Sequence, residues 1–250
     1  GEGILPTRFQ YSEDSARKGR LEISSDLTRA KLMVLGGVKP FQTKGTLAMV
    51  LDFHHDRLQS LKKFSVTAVD GLDIEADGTF DETGKAFESL RLHHFKMGQN
   101  QLNGTLKRGG NREYEITLNG KSLDIEPLRK TISEKEFSLP KENVRFKANI
   151  EQAYISPQET LFENVLTFYS QNDRLLSFEY SAYFKKTKDK ENLIHVVIAS
   201  RPDHTRRFTL QTPAADKLIK ALDIPLQVHG GLLKLYAVRN DMLSHGPWEG

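Results

Sequence analysis

The chain has no cysteine, one tryptophan, four methionines and nine prolines in 250 residues. Without a thiol there is no disulfide framework, no thiolate metal site and no cysteine nucleophile. No run of about 18 apolar residues occurs, so nothing in it reads as a membrane-spanning helix. Neither sign of charge prevails: 36 Lys plus Arg against 33 Asp plus Glu leaves a net charge of +3. That balance is too even to argue for nucleic acid, and an isoelectric point near 8.9 is compatible with weak attraction to anionic head groups. The Gly-x-Ser-x-Gly elbow of a serine hydrolase and the glycine-rich phosphate loop are both missing. There is no signal-peptide pattern, and a chain that opens Gly-Glu-Gly rather than with Met reads as a segment of a longer protein.

What is present is alternation. At 38% hydrophobic and 28% charged, the composition is that of an ordered chain. Apolar residues recur at every second position in Leu21 and Ile23, in Leu47, Met49, Leu51 and Phe53, and in Phe64 and Val66. The same period runs through Leu102 and Leu106, Tyr114, Ile116 and Leu118, Phe146 and Ile150, and Phe178 and Tyr180. A period of two is that of a half-buried strand. Gly, Asp, Asn and Pro punctuate the runs, as antiparallel hairpins require; Arg108-Gly109-Gly110-Asn111 and Asn119-Gly120 read as turns. At His93-His94 the phase of the alternation slips, which predicts a β-bulge.

Two short helices interrupt the strands. Pro127 opens one over 127–133, with Leu128 and Ile132 at i, i+4. The other spans 213–222, with Pro213 at its start and an apolar stripe of Ala215, Leu218, Ile219 and Leu222. After it, Leu226-Gln227-Val228 and Leu233 to Ala237 read as two alternating segments about Gly230-Gly231. Strands followed by a small helix occur twice, giving approximate repeats over 20–135 and 143–250 within a single elongated segment, 1–250. The predicted fold class is mainly β: a long, twisted antiparallel sheet curved into an open groove, with short helices near 127–133 and 213–222.

Chemistry-bearing constellations are scarce. The eight histidines are His54, His55, His93, His94, His195, His204, His229 and His245. Adjacent histidines on a strand point to opposite faces, so neither pair makes a ready chelate, and no metal or cofactor is expected. Most carboxylates interleave with apolar residues, the pattern of a solvated face, and nothing marks a general acid/base pair. The reading is therefore non-enzymatic. For each alternating apolar residue the ordinary role is core packing. The sharper role is to line a groove for acyl chains, where burial at about 25 cal/mol per Å² holds a chain without specific polar contacts.

Several segments resemble the bacterial AsmA-like family, in particular its YhdP-like branch. They are Asp26-Leu27-Thr28-Arg29-Ala30 with Gly36-Gly37-Val38-Lys39-Pro40, the strand pairs from Leu102 to Ile125, and Ala214-Ala215-Asp216-Lys217-Leu218 with Ala221-Leu222. Gly230-Gly231-Leu232-Leu233-Lys234-Leu235 and Gly246-Pro247-Trp248 complete the set. The family carries Asp-Ala-Gly before the helix where this chain has Ala-Ala-Asp. The resemblance implies a periplasmic segment of a Gram-negative protein anchored to the inner membrane by a part outside this chain. It also implies a β-groove that conducts phospholipid between inner and outer membranes, with no catalytic residue. Groove candidates are Leu47, Met49, Leu51, Phe53, Leu102, Leu106, Tyr114, Ile116, Leu118, Phe146, Ile150, Phe178 and Tyr180. The alternative is a β-rich scaffold for outer-membrane protein or envelope assembly, its sheet face filled by its own side chains.

Overall fold

The computed structural model describes residues 2–3, 5–34, 37–110, 113–126, 141–156, 158–201, 205–222 and 224–240. The predicted helix at 127–133, His204, His245 and the Gly246-Pro247-Trp248 motif lie outside them. In chain order the strands are β1 (Glu2–Gly3), β2 (Thr7–Glu13), β3 (Lys18–Asp26), β4 (Ala30–Val34), β5 (Gly37–Lys39), β6 (Gly45–His54), β7 (Arg57–Ala68), β8 (Asp73–Phe80) and β9 (Phe87–Met97). There follow β10 (Asn100–Arg108), β11 (Glu113–Asp124), β12 (Asn143–Tyr154), β13 (Thr160–Gln171), β14 (Arg174–Tyr183), β15 (Leu193–Ser200) and β16 (Thr205–Thr212), then the helix α1 (Ala215–Ala221) and β17 (Leu233–Asn240).

The protein is mainly β. Fourteen strands form one sheet in the order β17-β16-β15-β14-β13-β12-β11-β10-β9-β8-β7-β6-β3-β2, not closed into a barrel; β1, β4 and β5 form a separate small sheet. The long sheet is mixed, where sequence alone predicted it wholly antiparallel. Glu113 is ion-paired with Arg145, and the Ile125 amide donates to the Tyr154 carbonyl at 2.9 Å, so the chain runs the same way along β11 and β12. The chain divides into two compact units, Gly1–Asn111 with Glu115–Asp124, and Arg112–Tyr114 with Ile125–Gly250.

Local chemistry explains the hairpins. His55 (φ 49°) with Asp56 (φ 61°), and Asn172 (φ 49°) with Asp173 (φ 62°), put both central turn residues in the left-handed region. That geometry matches the twist of the strands it joins. Asn119-Gly120 does not turn. Gly104 on β10 lies against Thr117 and Leu118, and farther along β11 Ser122 Oγ donates to the Gln99 carbonyl and the Asp124 amide to Asn100 Oδ1. Chain on both sides of Asn119-Gly120 thus pairs with β10, and the strand runs through. Leu226-Gln227-Val228 is an exposed loop rather than a strand. The bulge at His93-His94 is present: the register shifts there against both β8 and β10.

Each unit packs one end of its sheet. In the first, the segment between β3 and β6 folds back on the start of β6. The Leu27 amide donates to the Gly45 carbonyl at 2.8 Å, and Leu27 and Ala30 are buried. Lys39 is fully buried; its ammonium donates to the carbonyls of Ala30 (2.9 Å) and Pro40 (3.1 Å), and its stem lies against Gly45. In the second, Leu218 of α1 packs with Ala153, Leu161, Ala182, Phe184 and Ile194.

Asp81 fixes the turn between β8 and β9. One carboxylate oxygen accepts from Thr83 Oγ1 (2.7 Å) and the Lys85 amide (3.2 Å), the other from Arg108 Nη1 (2.6 Å). The Thr83 hydroxyl, and then the Arg108 guanidinium, hold this carboxyl well below the usual carboxylate range. A depressed folded-state pKa contributes stability that is present above the unfolded value and lost as pH falls through the folded one. Thermal melts from pH 7 downward should therefore show wild type losing stability below about pH 4. Asp81→Asn should start less stable at pH 7 and lose less in that window; parallel curves would remove Asp81 from the acid response.

Candidate functional site: one apolar sheet face

Residues directly opposite in a ladder share a face, so the registers can be followed across the sheet. In the first unit three rows emerge. Ser25, Leu47, Val66, Ile74, Phe95 and Leu102 form one; Phe9, Ile23, Met49, Phe64, Ala76, Leu92 and Gly104 the next; Tyr11, Leu21, Leu51, Leu61, Gly78, Leu90 and Leu106 the third. Phe53 pairs with Leu58 on the same side. Leu118 lies over Gly104, and Ile116 and Tyr114 alternate with it along β11. The opposite face is polar: Arg20 Nε pairs with Asp52 (2.9 Å), Thr46 with Thr67 (2.9 Å), His94 Nε2 with Asp73 (2.9 Å), and His93 with Asp77.

The second unit repeats the arrangement. Phe146, Phe168, Phe178, Ile198, Phe208 and Ala237 make one cross-strand row, and Ala148, Leu166, Tyr180, Val196, Leu210 and Leu235 the next. Phe146 and Phe168 stack with ring centroids 5.2 Å apart. The row beyond, with Ala182 paired to Ile194 and Thr212 to Leu233, meets the cluster under α1.

The thirteen candidates read from sequence divide by burial. Leu47, Met49, Leu51, Phe53, Leu106, Tyr114, Ile116, Leu118, Phe146 and Phe178 are half-buried and keep accessible surface. Leu102 and Ile150 are buried at 5% and 4% exposure and serve packing. Tyr180 is drawn into the packed end. Its hydroxyl donates to Asn164 Oδ1 at 2.7 Å, and Asn164 Nδ2 donates to the carbonyls of Ile150 (3.1 Å) and Leu161 (3.0 Å). Burial pushes the Tyr180 phenol above its ordinary value. Asn164 was not singled out by sequence; it ties a bulge at which Glu163 adopts φ 53°.

Ile23, Phe64, Leu92, Phe168, Ile198 and Phe208 share the apolar face as well and were missed as site residues. Alternation within one strand does not say how strands are phased to each other, and each bulge resets that phase. At the edge the face is most open, with Phe9 66% and Tyr11 56% exposed. Half-exposed Leu, Met and Phe side chains leave roughly 1 kcal/mol each of burial for a ligand to gain. The face offers apolar contact in continuous rows across neighbouring strands. No family model, curated protein or solved structure matches the chain.

Proposed function

We propose that this apolar face binds phospholipid acyl chains, and that the chain is a lipid-conducting, non-enzymatic segment of an AsmA-like protein. In this reading it belongs to the periplasm, on a parent protein anchored in the inner membrane, and passes phospholipid toward the outer membrane. The observation that carries the proposal is the continuity of half-buried aliphatic and aromatic rows on one face, with ion pairs and hydroxyl pairs on the other. A contiguous apolar face whose side chains keep accessible surface is suited to binding. Rows of one side chain per strand, about 4.8 Å apart, give an extended hydrocarbon chain uninterrupted contact along the sheet.

Mass spectrometry of an organic extract of the purified protein tests the reading. Co-purified phospholipid is expected; a lipid-free extract would favour a scaffold role in envelope assembly. The mechanism is tested by Met49→Asp. Met49 is half-buried and sits between Ile23 and Phe64. On an open face the new carboxylate reaches water, so the cost should stay near about 1 kcal/mol. An acyl chain would have to desolvate that charge, so lipid capture by a photoreactive residue at Leu51 should fall several-fold. A folded variant that captures lipid as wild type does would remove this row from the conduit; a variant that fails to fold would assign the row to a packed core.

A further inference from the structure

In the second unit the segment between α1 and β17 is a loop that is apolar where loops are ordinarily polar. Leu222, Ile224, Leu226, Val228 and Leu232 recur along it; it holds one carboxylate, Asp223, and no Phe, Tyr or Trp. The five aliphatic side chains are between 38% and 62% exposed. They are five of the thirteen exposed large apolar side chains among the described residues. That is a concentration, and not the scatter of single apolar residues that any surface shows.

The backbone fixes this exposure. At the near end the Leu222 amide donates to the Leu218 carbonyl (3.0 Å) and the Ile224 amide to the Ile219 carbonyl (3.1 Å). At the far end the Ala215 amide donates to the Gly231 carbonyl (3.1 Å). Gly230 (φ 66°) and Gly231 (φ 99°) supply the left-handed turn that leads into β17. The loop is fastened to α1 at both ends, with its aliphatic side chains left in water.

Composition and neighbours point to what covers them. Protein interfaces favour Tyr, Trp, Phe and Arg and are poor in Lys. This surface has the reverse character. Leu226 and Val228 line one cavity with Lys185, Lys217 and Lys220, and Asp216 and Glu159 line it too. Glu159 is taken by Lys220 at 2.9 Å, and Lys217 donates to the neutral Asn192 Oδ1 at 2.7 Å. Lys185, with Lys186 next to it, is exposed at the start of the adjoining loop. Lysine stems lie along apolar surface and set the ammonium at head-group level, where anionic lipid attracts it. The loop also runs directly into β17, whose Leu235 stands exposed on the apolar face of the sheet.

We propose that loop 222–232 is a bilayer-contact element. Its aliphatic side chains enter the acyl boundary of an anionic phospholipid membrane, with Lys185 and Lys186 among the head groups. The inference goes beyond the acyl-chain reading and does not depend on it: a purified protein free of lipid would leave the loop's contact with a membrane in place.

The test uses the 250-residue chain carrying Gln227→Cys, which gives an environment-sensitive dye a single attachment point because the chain has no cysteine of its own. Vesicles are phosphatidylcholine with phosphatidylglycerol in equal parts, or phosphatidylcholine alone. The labelled protein should float with the mixed vesicles, and the dye emission should shift to the blue. Leu226→Asp/Leu232→Asp should melt as wild type does, since both side chains are exposed, and should bind at least about tenfold more weakly. Lys185→Gln/Lys186→Gln should bind the mixed vesicles about fivefold more weakly and phosphatidylcholine alone unchanged; no loss would overturn the part given to the lysines. Failure of wild type to float overturns the proposal. So does flotation of the aspartate variant at the wild-type level. Flotation without a dye shift overturns it as well, by moving the contact to another surface such as the apolar sheet face. A blue shift that grows with protein concentration in the absence of vesicles would make the loop a self-association surface, and the membrane assignment would fall. Should the aspartate variant fail to fold, Leu226→Ser/Leu232→Ser decides: a loss of about threefold or more is expected, and no loss overturns the proposal.

Discussion

Gly104→Ala is expected to destabilise the protein by about 2 kcal/mol, and Gly104→Val by about 3 kcal/mol or more. The sign is informative because general considerations point the other way. Gly104 lies within β10 and does not need a left-handed backbone. Alanine at such a position ordinarily stabilises by about 0.4–1 kcal/mol, since the unfolded chain has less freedom to lose. Here a Cβ would stand 2.6 Å from the Thr117 carbonyl oxygen and 3.3 Å from Leu118 Cδ1. The first contact is with backbone, so β10 and β11 must part, at the expense of ladder hydrogen bonds. The clash belongs to the Cβ itself, so alanine meets it as fully as valine, which adds two methyl groups. Gly110 is the control: a Cβ there meets nothing within 4 Å, and Gly110→Ala should be neutral or slightly stabilising. Denaturant unfolding of the three variants measures this. A stabilised Gly104→Ala would show that a Cβ fits between the two strands without parting them.

Leu218→Asp is expected to cost about 4 kcal/mol or more and to melt α1. The helix has seven residues, no side-chain cap at Ala214, and is too short to persist alone. It exists because Ala215, Leu218 and Ala221 are buried, with Leu218 against Ala182, Ile194 and Phe184. A carboxylate at position 218 would enter this cluster without a cationic partner. Burying it charged is costly, and withdrawing it uncovers the apolar surface that Leu218 had covered. Lys220→Ala is the contrast: Lys220 is exposed and pairs with Glu159 at 2.9 Å, and its loss should stay within about 0.5 kcal/mol. Thermal melts, with hydrogen exchange of residues 215–221, separate the two. A Leu218→Asp protein melting as wild type does would place the helix away from the sheet.

The sequence by itself determined the strand-dominated class, the helix after Pro213 and the slip at His93-His94. Each depends on a local rule: side chains alternate along a strand, apolar residues at helical spacing share a face, and one extra residue inverts the alternation; the helix itself starts at Ala215, two residues after the Pro213 that the sequence reading put at its start. The two-sided nature of the strand at Leu47 to Phe53 was legible for the same reason. Only the tertiary structure decided the rest. Asn119-Gly120 looked like a turn because that pair favours one, yet ladder pairing on both sides overrode local preference. The parallel step between β11 and β12 depends on which strands meet, and short-range patterning carries no record of that. Leu102, Ile150 and Tyr180 alternate just as Met49 and Phe146 do; what separates them is how far the folded protein buries them, and the Tyr180–Asn164 hydrogen bond joins residues sixteen apart. Arg206 and Arg239 lie thirty-three positions apart and become neighbours only through the register of β16 with β17. Local rules fix which side of its own strand a residue takes, whereas the partner beside it and the cover above it are set by long-range pairing.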